Sequence, residues 1–182
     1  MTQGYATMRR RVVDIMRQAT RDGELTVLSD AVSCSEGFVH ELEYEGVTGI
    51  QVVDAVQYVA DKVLPIMPVL PKVATAALHP TCSSTRMNWS DSLKRCAEAV
   101  ADEVVVADTW GCCGFAEDRG MLHPELTESA TRREADELGQ RKFDLYLSAN
   151  RTCELGMERA TGKPWRHVLS VLAERMVEYA PA

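Results

Sequence analysis

The chain has 182 residues, 46% of them hydrophobic and 26% charged, with six cysteines and a formal net charge of −7. Those fractions belong to a folded globular domain rather than a disordered or fibrous chain, and the acidic balance argues against nucleic-acid binding built on Lys and Arg contacts to phosphate. No apolar stretch approaches the roughly 20 residues that cross a bilayer, and residues 1–10 lack the apolar segment of a signal peptide, so the expected compartment is the cytoplasm.

In chain order, Met8, Val12, Ile15, Met16 and Ala19 at helical spacing predict a first helix that ends at Asp22-Gly23. Its basic run Arg9-Arg10-Arg11 reads as a solvated face. Residues 25–32 predict a buried strand. A second helix places Val52, Val56, Val59 and Val63 on one face and Asp54, Gln57 and Asp61 opposite. Pro65, Pro68 and Pro71 break the chain before a strand at 73–79 and mark its internal boundary. A third helix carries Trp89, Leu93, Cys96 and Val100 in register, which assigns Cys96 to the core as a small hydrophobe. A strand at 104–107, a polar helix from Pro124, a strand at 143–147 and a final helix burying Trp165, Val168, Leu169, Leu172 and Met176 complete the pattern. Strands alternating with helices predict an α/β fold, a mostly parallel sheet flanked by helices.

A weak internal repeat aligns residues 28–37 with 147–156. Leu28, Ser29, Cys34 and Gly37 fall on Leu147, Ser148, Cys153 and Gly156, and Ser33 on Thr152. Only the second copy has cysteines upstream. The expected organisation is a truncated first unit over 1–68 and a complete second unit over 69–182, packed together.

Cys34, Cys82, Cys112, Cys113 and Cys153 each follow a predicted strand. Ligands of a parallel α/β sheet bind outside the carboxyl ends of its strands, so these thiols are expected at one sheet edge as a metal or iron–sulfur site. In the cytoplasm clustered cysteines serve as ligands or catalytic thiols rather than disulfides. The adjacent pair Cys112-Cys113 is badly placed for a mutual disulfide. In a tight turn both thiols can face one polynuclear cluster, with Gly111 and Gly114 supplying the backbone freedom. Sulfur ligands select iron–sulfur clusters or zinc over magnesium or calcium. Cys153 precedes an expected helix start whose amides and dipole favour its thiolate. Arg119 and Arg151 either offset cluster charge or pair with Asp118 and Glu154. His79 and His123 each precede a proline, which favours an extended or turn conformation; His79 either reaches the site near Cys82 or makes a structural hydrogen bond, and His40 and His167 carry no specific signal. Asp118 and Glu125 read as salt-bridge partners. No catalytic Ser-His-Asp pattern, Walker loop or GxGxxG is present.

The segments His79-Pro80-Thr81-Cys82, Trp110-Gly111-Cys112-Cys113-Gly114-Phe115-Ala116-Glu117-Asp118-Arg119-Gly120 and His123-Pro124-Glu125-Leu126 resemble the CCG cysteine-rich domain. With Asn150-Arg151-Thr152-Cys153-Glu154-Leu155-Gly156 they resemble, more narrowly, the C-terminal region of bacterial FAD-linked D-lactate dehydrogenases and glycolate oxidase-like oxidoreductases. The resemblance implies Cys82, Cys112, Cys113 and Cys153 as cofactor and metal ligands, with Cys34 an additional candidate from the first unit. Asn150 stands where the family has a further cysteine, and Glu117 where it has a small residue. The implied cofactor is an iron–sulfur cluster, of 4Fe–4S type with four cysteines, or zinc in its place. FAD would sit only in a partner or missing domain. The implied partners are FAD-binding and ferredoxin-like domains or subunits of the same oxidoreductase, with peripheral association at the inner face of the membrane through that complex.

Three readings follow. The first is an electron-transfer module of an FAD-linked 2-hydroxy-acid dehydrogenase, not catalytic alone. The second is a zinc-bound or metal-free module that docks a partner subunit. The third, thiol catalysis by Cys112 and Cys113, needs a depressed thiol pKa and a base, and Asn150 in place of a resolving cysteine counts against it.

Overall fold

The computed structural model describes residues 3–116 and 118–179; Glu117, noted above for its bulk, lies outside them. Helix α1 (Gln3–Thr20) leads to strand β1 (Val27–Ser29), helix α2 (Val32–Tyr44), strand β2 (Val52–Asp54) and helix α3 (Ala55–Tyr58), which continues as a π turn (Val59–Val63) and a 3-10 turn (Leu64–Ile66). Beyond the prolines come β3 (Val73–Leu78), α4 (Cys82–Arg86), α5 (Ser90–Glu98), β4 (Ala101–Val105), α6 (Arg119–Leu122) and α7 (Pro124–Leu138). Strand β5 (Leu145–Ser148), α8 (Arg151–Thr161), β6 (Trp165–His167) and α9 (Val168–Tyr179) follow. All pairings are parallel: β1 with β2, and a second sheet in the order β4-β3-β5-β6. The fold is therefore α/β with parallel sheets flanked by helices.

One core joins Val32, Val56 and Ala60 to Ala76, Leu78, Leu93, Cys96, Leu147 and Val168, so side chains from both sides of the proline stretch share it. The opposite face of the second sheet is filled by Ala77, Leu138, Phe143, Tyr146, Met157 and Trp165. Strand β3, central among these layers, buries Ala76, Ala77 and Leu78 in succession, as a strand covered on both faces must. Cys96 is fully buried; its thiol donates to the Val56 carbonyl at 3.7 Å and burial pushes its pKa up to about 12.

Several local expectations change. Helix α1 turns Arg9, Val13, Met16 and Thr20 inward and leaves Met8 and Ile15 exposed. Arg9 is not part of a solvated face: it pairs with Glu45 at 2.6 Å and lies 3.6 Å from the Tyr44 ring centroid. The strand expected at 25–32 is only three residues long, and Val32 already opens α2. Val52 belongs to β2, because the Asp54 carboxylate accepts the Val56 amide at 2.9 Å and so caps α3 there. Trp165 lies on β6 rather than on the last helix, where it pairs with Tyr146 in register. The short β6 lacks period-2 alternation long enough to read.

The repeated blocks fold alike. Each is a strand end, a turn and a helix with its cysteine third, Cys34 in α2 and Cys153 in α8. Leu28 lies opposite Val53 and Leu147 opposite Arg166 in the following strands. The His167 ring then accepts the Leu169 amide at 3.2 Å, as Asp54 accepts that of Val56. Burial separates the copies: Leu28 is 55% exposed and Leu147 0%, because Leu147 packs into the core with Leu78 and Val168 while Leu28 belongs to no core cluster among the described residues. Leu147→Ala is expected to cost about 2–5 kcal/mol, and Leu28→Ala less than about 0.5 kcal/mol. Urea unfolding of the two variants measures the difference, and equal costs would contradict this packing.

Candidate metal centre

Strand β3 pairs with β4 on one side and β5 on the other. The chain leaves β3 toward β4 and returns across it to β5, so the connections diverge at the β3–β5 boundary. That divergence opens a crevice at the strand carboxyl ends. His79 and Cys82 follow β3, with Cys82 first in α4 behind an N-cap in which Thr81 accepts the Ser84 amide at 3.0 Å. Cys153 sits inside the first turn of α8 rather than before it.

The loop after β4 brings Cys112 and Cys113 across to the same crevice. The Glu137 carboxylate anchors its start, accepting the Asp108 amide at 2.7 Å, the Thr109 amide at 3.0 Å and the Thr109 hydroxyl at 2.6 Å. Trp110 latches the middle by donating to the Pro80 carbonyl at 2.7 Å. Gly114 turns the chain after the double cysteine with φ +67°, and a Cβ there would stand 2.8 Å from that of Ala130. Gly111 has no such constraint: a Cβ on it would meet nothing within 4 Å, so only one of the two flanking glycines is required by the turn.

Two thiol contacts result. Cys113 and Cys153 bring their Sγ atoms to 3.2 Å in a buried position. Cys112 and Cys82 approach to 3.9 Å nearer the surface, and Cys112 also accepts the Gly114 amide at 3.4 Å. All four belong to one electrostatic group, since Cys82, Cys112 and Cys113 each raise the Cys153 pKa by charge. The hydrogen bond from Cys153 lowers the Cys113 pKa, the His79 ring and the Phe115 amide adding to it against burial. Cys153 is raised by the same hydrogen bond and by burial. The negative charge of the pair therefore sits on Cys113, not on the helix-start cysteine. Burial, with the neighbouring thiols, raises Cys112.

His79 makes both contacts that its position allowed. Its Nδ1 lies 2.8 Å from the Glu134 carboxylate, both groups buried, and a ring nitrogen lies within 4.8 Å of the Cys113 and Cys153 sulfurs. Its Nε2 has no hydrogen-bond partner among the described residues. Glu134 escaped the sequence reading, although it falls in register with Thr127, Thr131 and Leu138 on the buried stripe of α7. Arg86 was missed too: it holds Glu36 of α2 through contacts of 2.5 and 2.6 Å, and its charge acts on Cys82. Arg151 pairs with Glu154 at 3.0 Å. The His79–Cys113–Cys153 group includes neither Cys82 nor Cys112, which meet each other nearer the surface, nor the exposed Cys34, although its neighbour Ser33 accepts the Asn150 side-chain amide at 3.2 Å.

Sulfur and imidazole donors gathered in a buried crevice suit zinc or iron–sulfur chemistry and not hard cations. The orphaned, buried Nε2 beside them meets the same requirement, because buried polar atoms in native proteins otherwise find partners. The residues present thus fit a metal or iron–sulfur group.

Fold and site together define an α/β domain with a thiol cluster at the switch crevice of a parallel sheet. The family model described as "Cysteine-rich domain", CCG, matches residues 76–158, a span that contains His79, Glu134 and the four clustered thiols. No curated protein matches the chain. Among solved structures it is similar to the glutamate racemase isoform RacE1 from Bacillus anthracis, at 10% identity and a TM-score of 0.45. The alignment covers 94% of this chain, which spans only 63% of that one. The match to the cysteine-rich domain, together with the His/Cys/Cys donor group, fits an iron–sulfur module. No helix among the described residues is long and apolar enough to cross a membrane.

Gly114→Ala is expected to cost about 1–3 kcal/mol, from the left-handed backbone and the blocked Cβ. Gly111→Ala should stay within about 0.5 kcal/mol. Urea unfolding of the metal-free variants checks both, and a neutral Gly114→Ala would refute the turn as described.

Proposed function

We propose that this chain is an electron-transfer module that holds an iron–sulfur cluster through Cys82, Cys112, Cys113 and Cys153. The observation that carries the reading is their convergence, delivered by three strand ends into two thiol contacts of one electrostatic group. The match of residues 76–158 to the CCG domain supports it. When bound, such a cluster supplies reversible electron uptake. The protein's residues divide the remaining tasks. Phe115, fully buried, packs with Cys113 and Cys153 and keeps water from them. The exposed Cys112 marks the face nearest an electron partner. Arg86 brings positive charge to Cys82.

The sequence resemblance extends the proposal. The chain is the C-terminal portion of an FAD-linked dehydrogenase of D-lactate or another 2-hydroxy acid, relaying electrons from a flavin domain elsewhere to an acceptor. Residues 1–68 are the tail of a first CCG unit and 69–182 a complete second one. One observation favours a different occupant: His79, Cys113 and Cys153 form a donor set of the Cys/His kind that zinc accepts. On that reading the domain docks a partner oxidoreductase subunit without carrying electrons.

Anaerobic reconstitution with iron and sulfide, followed by metal analysis and electron paramagnetic resonance, separates the two. Each Cys→Ser change at the four positions is expected to reduce bound iron, while Cys34→Ser and Cys96→Ser leave it at the wild-type level. Stoichiometric zinc with no visible absorption would reject the electron-transfer reading.

The chain alone, even with added FAD, is expected to show no D-lactate turnover with a dye acceptor, because nothing in it recognisably binds flavin. Turnover by the pure chain would refute its assignment as a module dependent on a flavin domain.

A further inference from the structure

Beside the four cysteines the crevice holds a histidine whose surroundings are tightly constrained. His79 follows the last residue of β3, and its backbone is fixed from both sides: its amide donates to the Leu147 carbonyl at 2.9 Å, and its own carbonyl accepts the Ser148 hydroxyl at 2.9 Å. Trp165 meets its ring edge-on, 6.3 Å between centroids. The imidazole is thus held by the sheet and not by a mobile loop. Glu134 engages Nδ1 at 2.8 Å, and both side chains are at most 2% exposed. The other nitrogen, Nε2, is buried without a partner among the described residues. One ring nitrogen lies within 4.8 Å of both the Cys113 and the Cys153 sulfur.

His167, whose Nδ1 accepts the Leu169 amide, also leaves a buried Nε2 without a partner among the described residues, so what distinguishes His79 is the carboxylate on its other nitrogen and the two thiol sulfurs beside its ring. A histidine that ligates a metal has one nitrogen free for the ion and the other on a carboxylate or carbonyl, which fixes the ring and raises its basicity. His79 has this arrangement. Near Cys153, Asn150 has its amide nitrogen on Ser33 and its oxygen accepting the Thr152 hydroxyl at 3.3 Å, while Glu154, held by Arg151 through Oε2 at 3.0 Å, keeps a buried Oε1 without a partner among the described residues.

We propose that His79 is a fifth protein ligand of this centre, binding through Nε2 beside Cys113 and Cys153, with Glu134 as the positioning residue that orients it. The inference rests on the metal-binding reading above and adds a nitrogen donor to it. A Cys/His donor set differs from an all-thiolate one in charge and in electronic signature, so the assignment is open to spectroscopy without any activity assay.

The experiment is pulsed electron–nuclear double resonance on full-length wild-type protein carrying 15N-imidazole histidine, reconstituted anaerobically with iron and sulfide and reduced with dithionite. A strong coupling from a directly bound histidine nitrogen is expected, and it should vanish in His79→Ala. The wild-type measurement stands even if that variant fails to fold. Glu134→Gln should retain the coupling but weaken metal retention about 10–100-fold in a chelator competition, with thermal stability followed separately. A reconstituted wild type that holds iron but shows no directly bound nitrogen overturns the inference and leaves the four-cysteine reading intact. A wild type that binds neither iron nor zinc overturns both. Unchanged metal retention in Glu134→Gln removes the positioning role.

Discussion

Strand β3 is hydrogen-bonded on both flanks, and the chain leaves it in one direction and returns in the other. This single topological constraint produces the site. Parallel strands place their carboxyl ends on one edge, and the reversal of direction leaves that edge uncovered at the β3–β5 boundary. His79 and Cys82 come from β3 and Cys153 from β5. Cys112 and Cys113 reach them only because the loop from β4 is tied at Glu137 and Pro80 before it turns at Gly114. Antiparallel pairing of the same strands would scatter these residues to opposite ends of the sheet.

Proximity then dictates the electrostatics. Two thiols 3.2 Å apart in a buried position cannot both ionise without a cation between them. One proton stays on Cys153, and Cys113 takes the charge with the His79 ring and the Phe115 amide beside it. Glu134 balances the histidine from behind. The result is a buried series of carboxylate, imidazole and thiol in which Glu134 engages the ring at Nδ1 and the ring's charge acts on Cys113. Removing Glu134 leaves the buried His79 Nδ1 unpaired, which costs stability.

The strand ends and the double cysteine were legible because they are local signals: an apolar run, then a turn, then a thiol. Pro124 as a helix start and Cys96 as a core residue were legible for the same reason. Glu134 was not, since an acidic residue in a polar helix reads as solvated until the partner beneath it is known. The His79 contact joins residues 55 apart in sequence and the Arg86–Glu36 pair residues 50 apart; no periodicity reports such pairings. Arg9 misled in the opposite sense, because a run of three arginines hides that one of them faces Tyr44 and Glu45. Trp165 misled because a three-residue strand running directly into a helix shares that helix's apolar spacing.

The repeated blocks show how context, rather than local sequence, decides what a cysteine becomes. Cys34 and Cys153 occupy the same third position of a helix after a parallel strand, each with a short edge strand and a capped helix to follow. One is exposed and the other 3% exposed. What differs lies around them. Around Cys153 stand β3 and the double-cysteine loop. Among the described residues, the only strand paired with β1 is β2. A thiol at a helix start is only a weak acid with a favourable dipole; it becomes a candidate ligand when a second strand end and a tight turn bring other donors within reach. Strands β3 and β5 and the loop after β4 supply those donors, and α2 contributes from outside through Glu36 on Arg86 and Ser33 on Asn150. The first block thus acts here as a wall of the site that the second block builds.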